Sequence, residues 1–78
     1  MTTNTNKAID AGMRAAAAER LGNDQKAKTE AMRCGRLAAE AKMTLETIWT
    51  EVESLHHADL AWHYLVDAWY DTVGAAAA

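Results

Sequence analysis

Apolar residues recur at alternating steps of three and four along most of this chain, which is the spacing of one face of a helix. The clearest run follows Asp24: Ala27, Ala31, Cys34, Ala38, Ala41, Leu45, Ile48, Val52 and Leu55. The register continues through Trp62, Val66, Trp69 and Val73, and it is interrupted only by Asp59. A repeat of this kind predicts the a/d seam of a coiled coil.

The chain has no proline, and no run of β-branched residues indicates a strand, so the pattern predicts an all-α fold. Helix one is expected over residues 7–21, after a polar lead of residues 1–6 in which Thr5 or Asn6 would cap it. Gly22 suits a turn and Asp24 suits the cap of the next helix. Gly35 offers a rival bend.

A long helix is expected over residues 24–73, with weak points at Thr44 to Thr50, where β-branched residues lose rotamer freedom, and near residues 56–59, where Asp59 could cap a new helix. An Ala tail, residues 75–78, follows Gly74 with nothing to hold it. A straight helix over 24–73 would be ~75 Å long, far longer than helix one. We therefore predict one domain over residues 1–78: an extended antiparallel helical hairpin with a coiled-coil-like seam, or alternatively a compact three-helix bundle bent near 56–59.

The 78 residues leave a marginal core, because 18 of them are alanine and none is phenylalanine. Residues 1–43 hold all eight bases and five acids, for a net charge of +3, and residues 44–78 hold six acids and no base. The single cysteine and the lack of an apolar leader predict a cytoplasmic location rather than secretion. No stretch reaches the roughly 18–20 apolar residues of a membrane span, so no membrane partner is expected.

All five aromatic residues, three Trp and two Tyr, lie between Trp49 and Tyr70. Trp and Tyr are enriched at binding hot spots, and the alanine-rich first helix offers little apolar surface to cover them. The pattern favours a small non-enzymatic protein that works by association, as a homodimer or with a host protein, in a regulatory or accessory role. The expected contacts are Leu45, Ile48, Val52, Leu55, Trp62, Val66 and Trp69.

Two alternatives depend on charged residues. The basic residues Arg20, Lys26, Lys28, Arg33, Arg36 and Lys42 could contact nucleic acid, as in a plasmid- or phage-type accessory protein of a bacterium, although acids are interleaved with them. The residues His56, Asp59, His63 and Asp67 share one helical stripe and have the ligand chemistry of a metal site, but no second ligand cluster accompanies them. A solvated helix face is the favoured interpretation of that stripe.

The chain has no glycine-rich phosphate loop and no nucleophile elbow. Cys34 would lie ~33 Å from His56 on one straight helix, too far to act with it as nucleophile and base. We therefore expect neither an enzyme nor a bound cofactor.

Overall fold

Five helical segments make up the part of the chain that the structure, a computed structural model, describes, which is residues 4–77. They are α1 (Asn4–Arg20), α2 (Asp24–Glu40), α3 (Leu45–Glu51), a 3-10 helix (Glu53–His57) and α4 (Asp59–Ala77). No strand occurs within residues 4–77. The prediction of an all-α fold is confirmed.

The turn between α1 and α2 is built on Gly22, whose φ of 81° lies in the left-handed region that glycine adopts readily. The N–H of Asn23 donates to the carbonyl of Ala18 at 2.8 Å, and the N–H of Gly22 donates to that of Glu19 at 3.0 Å. These two bonds form a Schellman motif, which satisfies carbonyls at the end of α1. The chain therefore turns at Gly22, and Gly35 lies inside α2.

The helix starts differ slightly from the predicted ones. α1 begins three residues before the predicted start at residue 7, so Thr5 and Asn6 lie inside it. The side chain of Asn23, rather than that of Asp24, caps α2 by accepting a hydrogen bond from the N–H of Lys26 at 3.2 Å. Asp24 instead lies in the first turn, where its charge complements the helix dipole.

α2 ends at a second left-handed residue, Lys42, whose φ is 60°. The N–H of Met43 donates to the carbonyl of Ala38 at 2.8 Å, the same closure as at Gly22. Thr44 then caps α3, because its hydroxyl oxygen accepts a hydrogen bond from the N–H of Thr47 at 3.1 Å. The break falls at the start of the weak point expected at Thr44 to Thr50.

A further break separates α3 from α4, where Val52 and Ala58 flank the 3-10 helix. The long helix predicted over 24–73 is therefore wrong: it is divided after Glu40 and again between residues 52 and 58. The predicted bend near 56–59 is present. Ala58, rather than Asp59, precedes α4. The N–H of Ala61, in the first turn of α4, donates to the Glu19 carboxylate at 2.7 Å.

α2 lies at the centre of the bundle, with α1 antiparallel to it and α4 parallel to it. The direction of α4 follows from two contacts: Ala61, near its start, meets Glu19 beside the beginning of α2, and Trp69 meets Met43 beyond the end of α2. The chain measures 36 × 27 × 20 Å. This is the compact alternative rather than the extended hairpin, since the segment from α3 to residue 58 carries the chain back to the start of α2.

The segment formed by α3 and the 3-10 helix covers one side of α1. An ideal Cβ built on Gly12 of α1 would lie 3.3 Å from the sulfur of Cys34, 3.4 Å from Val52 and 3.6 Å from Leu55. α1, α2 and the segment formed by α3 and the 3-10 helix therefore pack against one another at this small residue. The largest fully buried side chains are Ile48, Leu55, Leu65, Val52 and Cys34.

The predicted seam is correct in α2 and is displaced in α4. The α2 residues Ala27, Ala31, Cys34 and Ala38 are fully buried, as the pattern indicates. In α4 the buried line is Ala61, Leu65 and Ala68, each one position before a residue of the predicted line of Trp62, Val66, Trp69 and Val73. Small residues face the centre because the α4 backbone approaches Gly35 closely.

α4 continues through Gly74 to Ala77, so the described part of the Ala tail is helical rather than loose. Alanine is the best helix former, and one internal glycine costs only about 1 kcal/mol. Residues 1–3 of the polar lead and Ala78 lie outside the described residues. Among the helices described, none has the length and apolar content needed to cross a membrane.

Candidate interaction surfaces

The predicted contact residues divide into buried and surface groups. Ile48, Val52 and Leu55 are 0%, 1% and 1% exposed. They belong to the chain's own core, so the prediction that they contact a partner does not fit this structure. The reason is the break after α2, which turns these residues onto α1. Leu45, Trp62, Val66 and Trp69 are half-buried and remain at the surface.

Five of the half-buried or exposed apolar residues of α3 and α4 form a surface that we call the tryptophan strip: Trp49, Trp62, Val66, Trp69 and Val73. The α4 members follow steps of three and four, so they share one flank of the helix. Trp49 extends the strip to α3, because its ring centroid lies 4.8 Å from that of Trp62. Trp49 and Val73 are each 38% exposed.

The two ends of the strip are held in place by specific contacts. The indole N–H of Trp69 donates to the carbonyl of Met43 at 2.9 Å. The imidazole of His56 stacks on the ring of Trp49 with 4.1 Å between centroids, and its Nε2 lies 2.7 Å from the carbonyl oxygen of Trp49. The strip is therefore a preformed surface, which lowers the entropy cost of binding.

A hollow of about 390 Å³ lies beside the strip where α2 ends. Its lining is Ala39, Glu40, Lys42, Met43, Thr44, Trp69, Thr72, Val73 and Ala76. Two of these residues, Trp69 and Val73, also belong to the strip. The apolar surface therefore continues from α4 to the end of α2.

Acidic residues flank the strip. Glu46 precedes Trp49 by three residues, and Asp59 precedes Trp62 by three, so each acid lies on nearly the same side of its helix as an indole. Both acids are exposed. α3 and α4 contain no Lys or Arg, so a partner on the strip meets their acids, together with Glu40 and Lys42 in the hollow beside Trp69 and Val73.

The candidate metal ligands are only partly brought together. His63 Nε2 and Asp67 Oδ2 lie 3.4 Å apart on the solvated side of α4, while the His56 ring faces Trp49. Asp59 is exposed at the start of α4. Within residues 4–77, no three His, Cys, Asp or Glu side chains form a group that could hold a metal ion. The contact between His63 and Asp67 is the helical pair expected of a solvated face.

The residues expected to contact nucleic acid are all exposed on α1, on α2 and at Lys42. Together with Lys7 and Arg14, which are also exposed, they form a surface that we call the basic face: Lys7, Arg14, Arg20, Lys26, Lys28, Arg33, Arg36 and Lys42. The ammonium of Lys28 lies 5.0 Å from the ring centroid of Tyr64, a cation–π contact between α2 and α4.

Two acids of the first half are half-buried, which sequence reasoning missed. Glu19 is half-buried and binds the start of α4 through Ala61. Glu30 is also half-buried, and one of its carboxylate oxygens is shielded from solvent. Only Asp10, Asp24 and Glu40 remain exposed among the acids of α1 and α2. The exposed charged residues of this half are therefore eight bases and three acids, while Glu19 and Glu30 are partly covered.

Cys34 lies in the core beside Gly12 and is 0% exposed. Burial raises the pKa of its thiol to about 12, although a hydrogen bond with the Gly12 backbone opposes the shift. A thiol in this state is protonated and unreactive at neutral pH. Its environment is that of a small packing residue.

Comparisons of the chain with models of protein families, with curated proteins and with solved structures found no match. Function is therefore inferred from the tryptophan strip and the basic face.

Proposed function

We propose that this protein is a non-enzymatic interaction module that self-associates through the tryptophan strip, in a regulatory or accessory role. The observation that carries the proposal is the exposure of Trp49 at 38% on a preformed apolar flank. The distribution of charge supports a second copy as the partner. Among the exposed Asp, Glu, Lys and Arg side chains, those of α3 and α4 are all acids, whereas those of α1 and α2 are mostly bases.

The exposed part of Trp49 supplies a share of the free energy of binding. A Trp side chain buries roughly 250 Å² when fully covered, so an exposure of 38% leaves roughly 95 Å² of Trp49, worth about 2 kcal/mol of burial. Val73 and the half-buried members of the strip add to this. Central aromatic residues of this kind dominate the free energy of protein association.

The test is the mass of the full chain, measured by light scattering over a range of concentrations. We expect the mass of the wild type to rise with concentration, and the double variant Trp49→Ala/Val73→Ala to remain a monomer. Met13→Ala is the matched control, because Met13 is 48% exposed on the outer side of α1, away from the strip. A wild type that stays monomeric at every concentration would refute the proposal.

A second candidate function is contact between the basic face and nucleic acid. The excess of exposed bases over exposed acids on α1 and α2 favours it. No aromatic residue precedes Trp49, and the ring placed against a base of this face, that of Tyr64 beside Lys28, is half-buried, so little ring surface is offered for stacking of a nucleic-acid base. Any binding would be to phosphates, and gel retardation that weakens steeply with salt, and that Arg33→Glu/Arg36→Glu abolishes, would establish it.

A further inference from the structure

The self-association proposed above leaves its geometry open, and the charges of the described residues decide between two arrangements. In a two-fold pair, the strip of one copy would face the strip of the other. Glu46 and Asp59 of one copy would then approach the same acids of its partner if the two strips ran in the same direction, and would approach the Lys42 end of the other strip if they ran in opposite directions. Like charges brought together at an interface are unfavourable, and Lys42 is the only base lining the hollow beside the strip, so the strip is less suited to contact itself than to contact a surface with several bases.

The basic face offers the charge that the strip needs, together with apolar area. Leu21 is 82% exposed at the end of α1, the largest exposure among the large apolar residues described. It lines a hollow of about 170 Å³ together with Arg14, Ala17, Ala18, Asn23 and Lys26. This hollow, which we call the Leu21 hollow, has an apolar side chain between two bases.

The complementarity extends to the rings. Arg and Lys side chains bind favourably over the faces of Trp and Tyr. The chain already makes such a contact internally, where the Lys28 ammonium lies 5.0 Å from the centroid of the Tyr64 ring. Arg14 and Lys26 border the Leu21 hollow and can contact exposed indoles in the same way.

We propose that copies of this chain associate head to tail, with the tryptophan strip of one copy on the Leu21 hollow of the next. This inference rests on the proposed function and names the partner surface of the same site. Because the two surfaces differ, a bound pair still presents one free strip on one copy and one free hollow on the other. Association therefore continues beyond two copies unless a ring closes, which differs from the homodimer that the sequence suggested.

The first experiment measures the dependence of association on salt. Raising NaCl from about 0.1 M to about 1 M shortens the screening length from about 10 Å to about 3 Å. A head-to-tail contact between acidic and basic surfaces should weaken by at least about tenfold in apparent Kd over this range. An apparent Kd that is unchanged or lower at high salt would overturn the proposal in favour of a two-fold apolar contact.

The second experiment mixes two variants of the full chain. In Trp49→Ala/Val73→Ala the strip is lost and the Leu21 hollow is intact. In Arg14→Glu/Lys26→Glu the hollow is lost and the strip is intact. Each variant alone should be a monomer, and an equal mixture should double the mass by forming a pair with one copy of each.

The outcomes of mixing separate the proposals. If the Arg14→Glu/Lys26→Glu variant alone associates as the wild type does, the strip binds itself and the head-to-tail arrangement is wrong, although self-association stands. If the mixture stays monomeric while the wild type associates, the arrangement is also wrong. If the wild type never associates, the proposed function itself fails. Circular dichroism verifies that each variant is folded, and Val73→Ser alone replaces the strip variant if loss of Trp49 prevents folding.

Discussion

Replacing Gly35 by alanine tests the close approach of α2 and α4. An ideal Cβ on Gly35 would overlap the carbonyl oxygen of Leu65, and it would lie 2.9 Å from the nitrogen of Trp69 and 3.0 Å from the Cβ of Ala68. Two of these atoms belong to the α4 backbone, so no side-chain rotation can relieve the overlap. Gly35→Ala therefore forces the two helices apart.

Two opposing effects determine the size of the loss. Alanine is favoured over glycine inside a helix by about 1 kcal/mol, which would stabilise the variant. Overpacking costs about 1–3 kcal/mol, and this case lies at or above the upper end because backbone must move. Separating the helices also weakens dispersion contacts along the whole α2–α4 interface. We expect a net loss of about 2 kcal/mol, out of about 4–12 kcal/mol for a domain of this size.

Thermal and urea unfolding followed by circular dichroism measure this loss. A loss of about 2 kcal/mol should lower the Tm by about 8–16 °C. Gly74→Ala is the matched control, because Gly74 lies in α4 with no atom within 4 Å of its ideal Cβ. It should gain stability, by up to about 1 kcal/mol. If Gly35→Ala were as stable as the wild type, the close packing of α2 on α4 would be incorrect.

Three further changes probe single contacts. Glu19→Ala should lose about 1–2 kcal/mol in urea unfolding, because it leaves the N–H of Ala61 unpaired, whereas Glu19→Gln keeps an acceptor and should lose less. Lys42→Gly should raise the urea midpoint by relieving a left-handed residue, a gain of about 1 kcal/mol at most. Burial raises the pKa of the Cys34 thiol from 9.0 to about 12, so with rising pH the thiol loses its proton in the unfolded chain before it does so in the folded chain. The stability that this group contributes is complete below pH 9.0 and is lost as the pH rises towards 12. The free energy of unfolding should therefore fall above pH 9.0, and a fall of equal size in Cys34→Ala would assign the effect to other groups.

The fold could be predicted from the sequence as far as its helices are set by local signals. Gly22 identified the first turn because a left-handed residue is needed there. The second left-handed position is occupied by Lys42, which carries no comparable signal, so the end of α2 was missed. The bend near residues 56–59 was recognised through Asp59, although Ala58 is the residue that precedes α4.

The sequence predicts which residue types form the candidate site, but it does not predict which individual residues belong to it. The concentration of aromatic residues after residue 48 directed attention to α3 and α4. Ile48 and Leu55 have the same spacing as the surface residues, yet they are in the core. Periodicity assigns a residue to a face of its own helix, but it does not say which other helix covers that face.

The sequence by itself determined that the chain is helical, where its first turn lies, and that its two halves carry opposite charge. These properties depend on backbone propensity and on composition, which are local. The tertiary structure decided which flank of α4 is buried, because α4 is apolar over most of its circumference and several registers satisfy its pattern. Gly35, Ala61 and Ala68 select one register, since small residues let two helix backbones approach, and the indoles are left at the surface as a consequence.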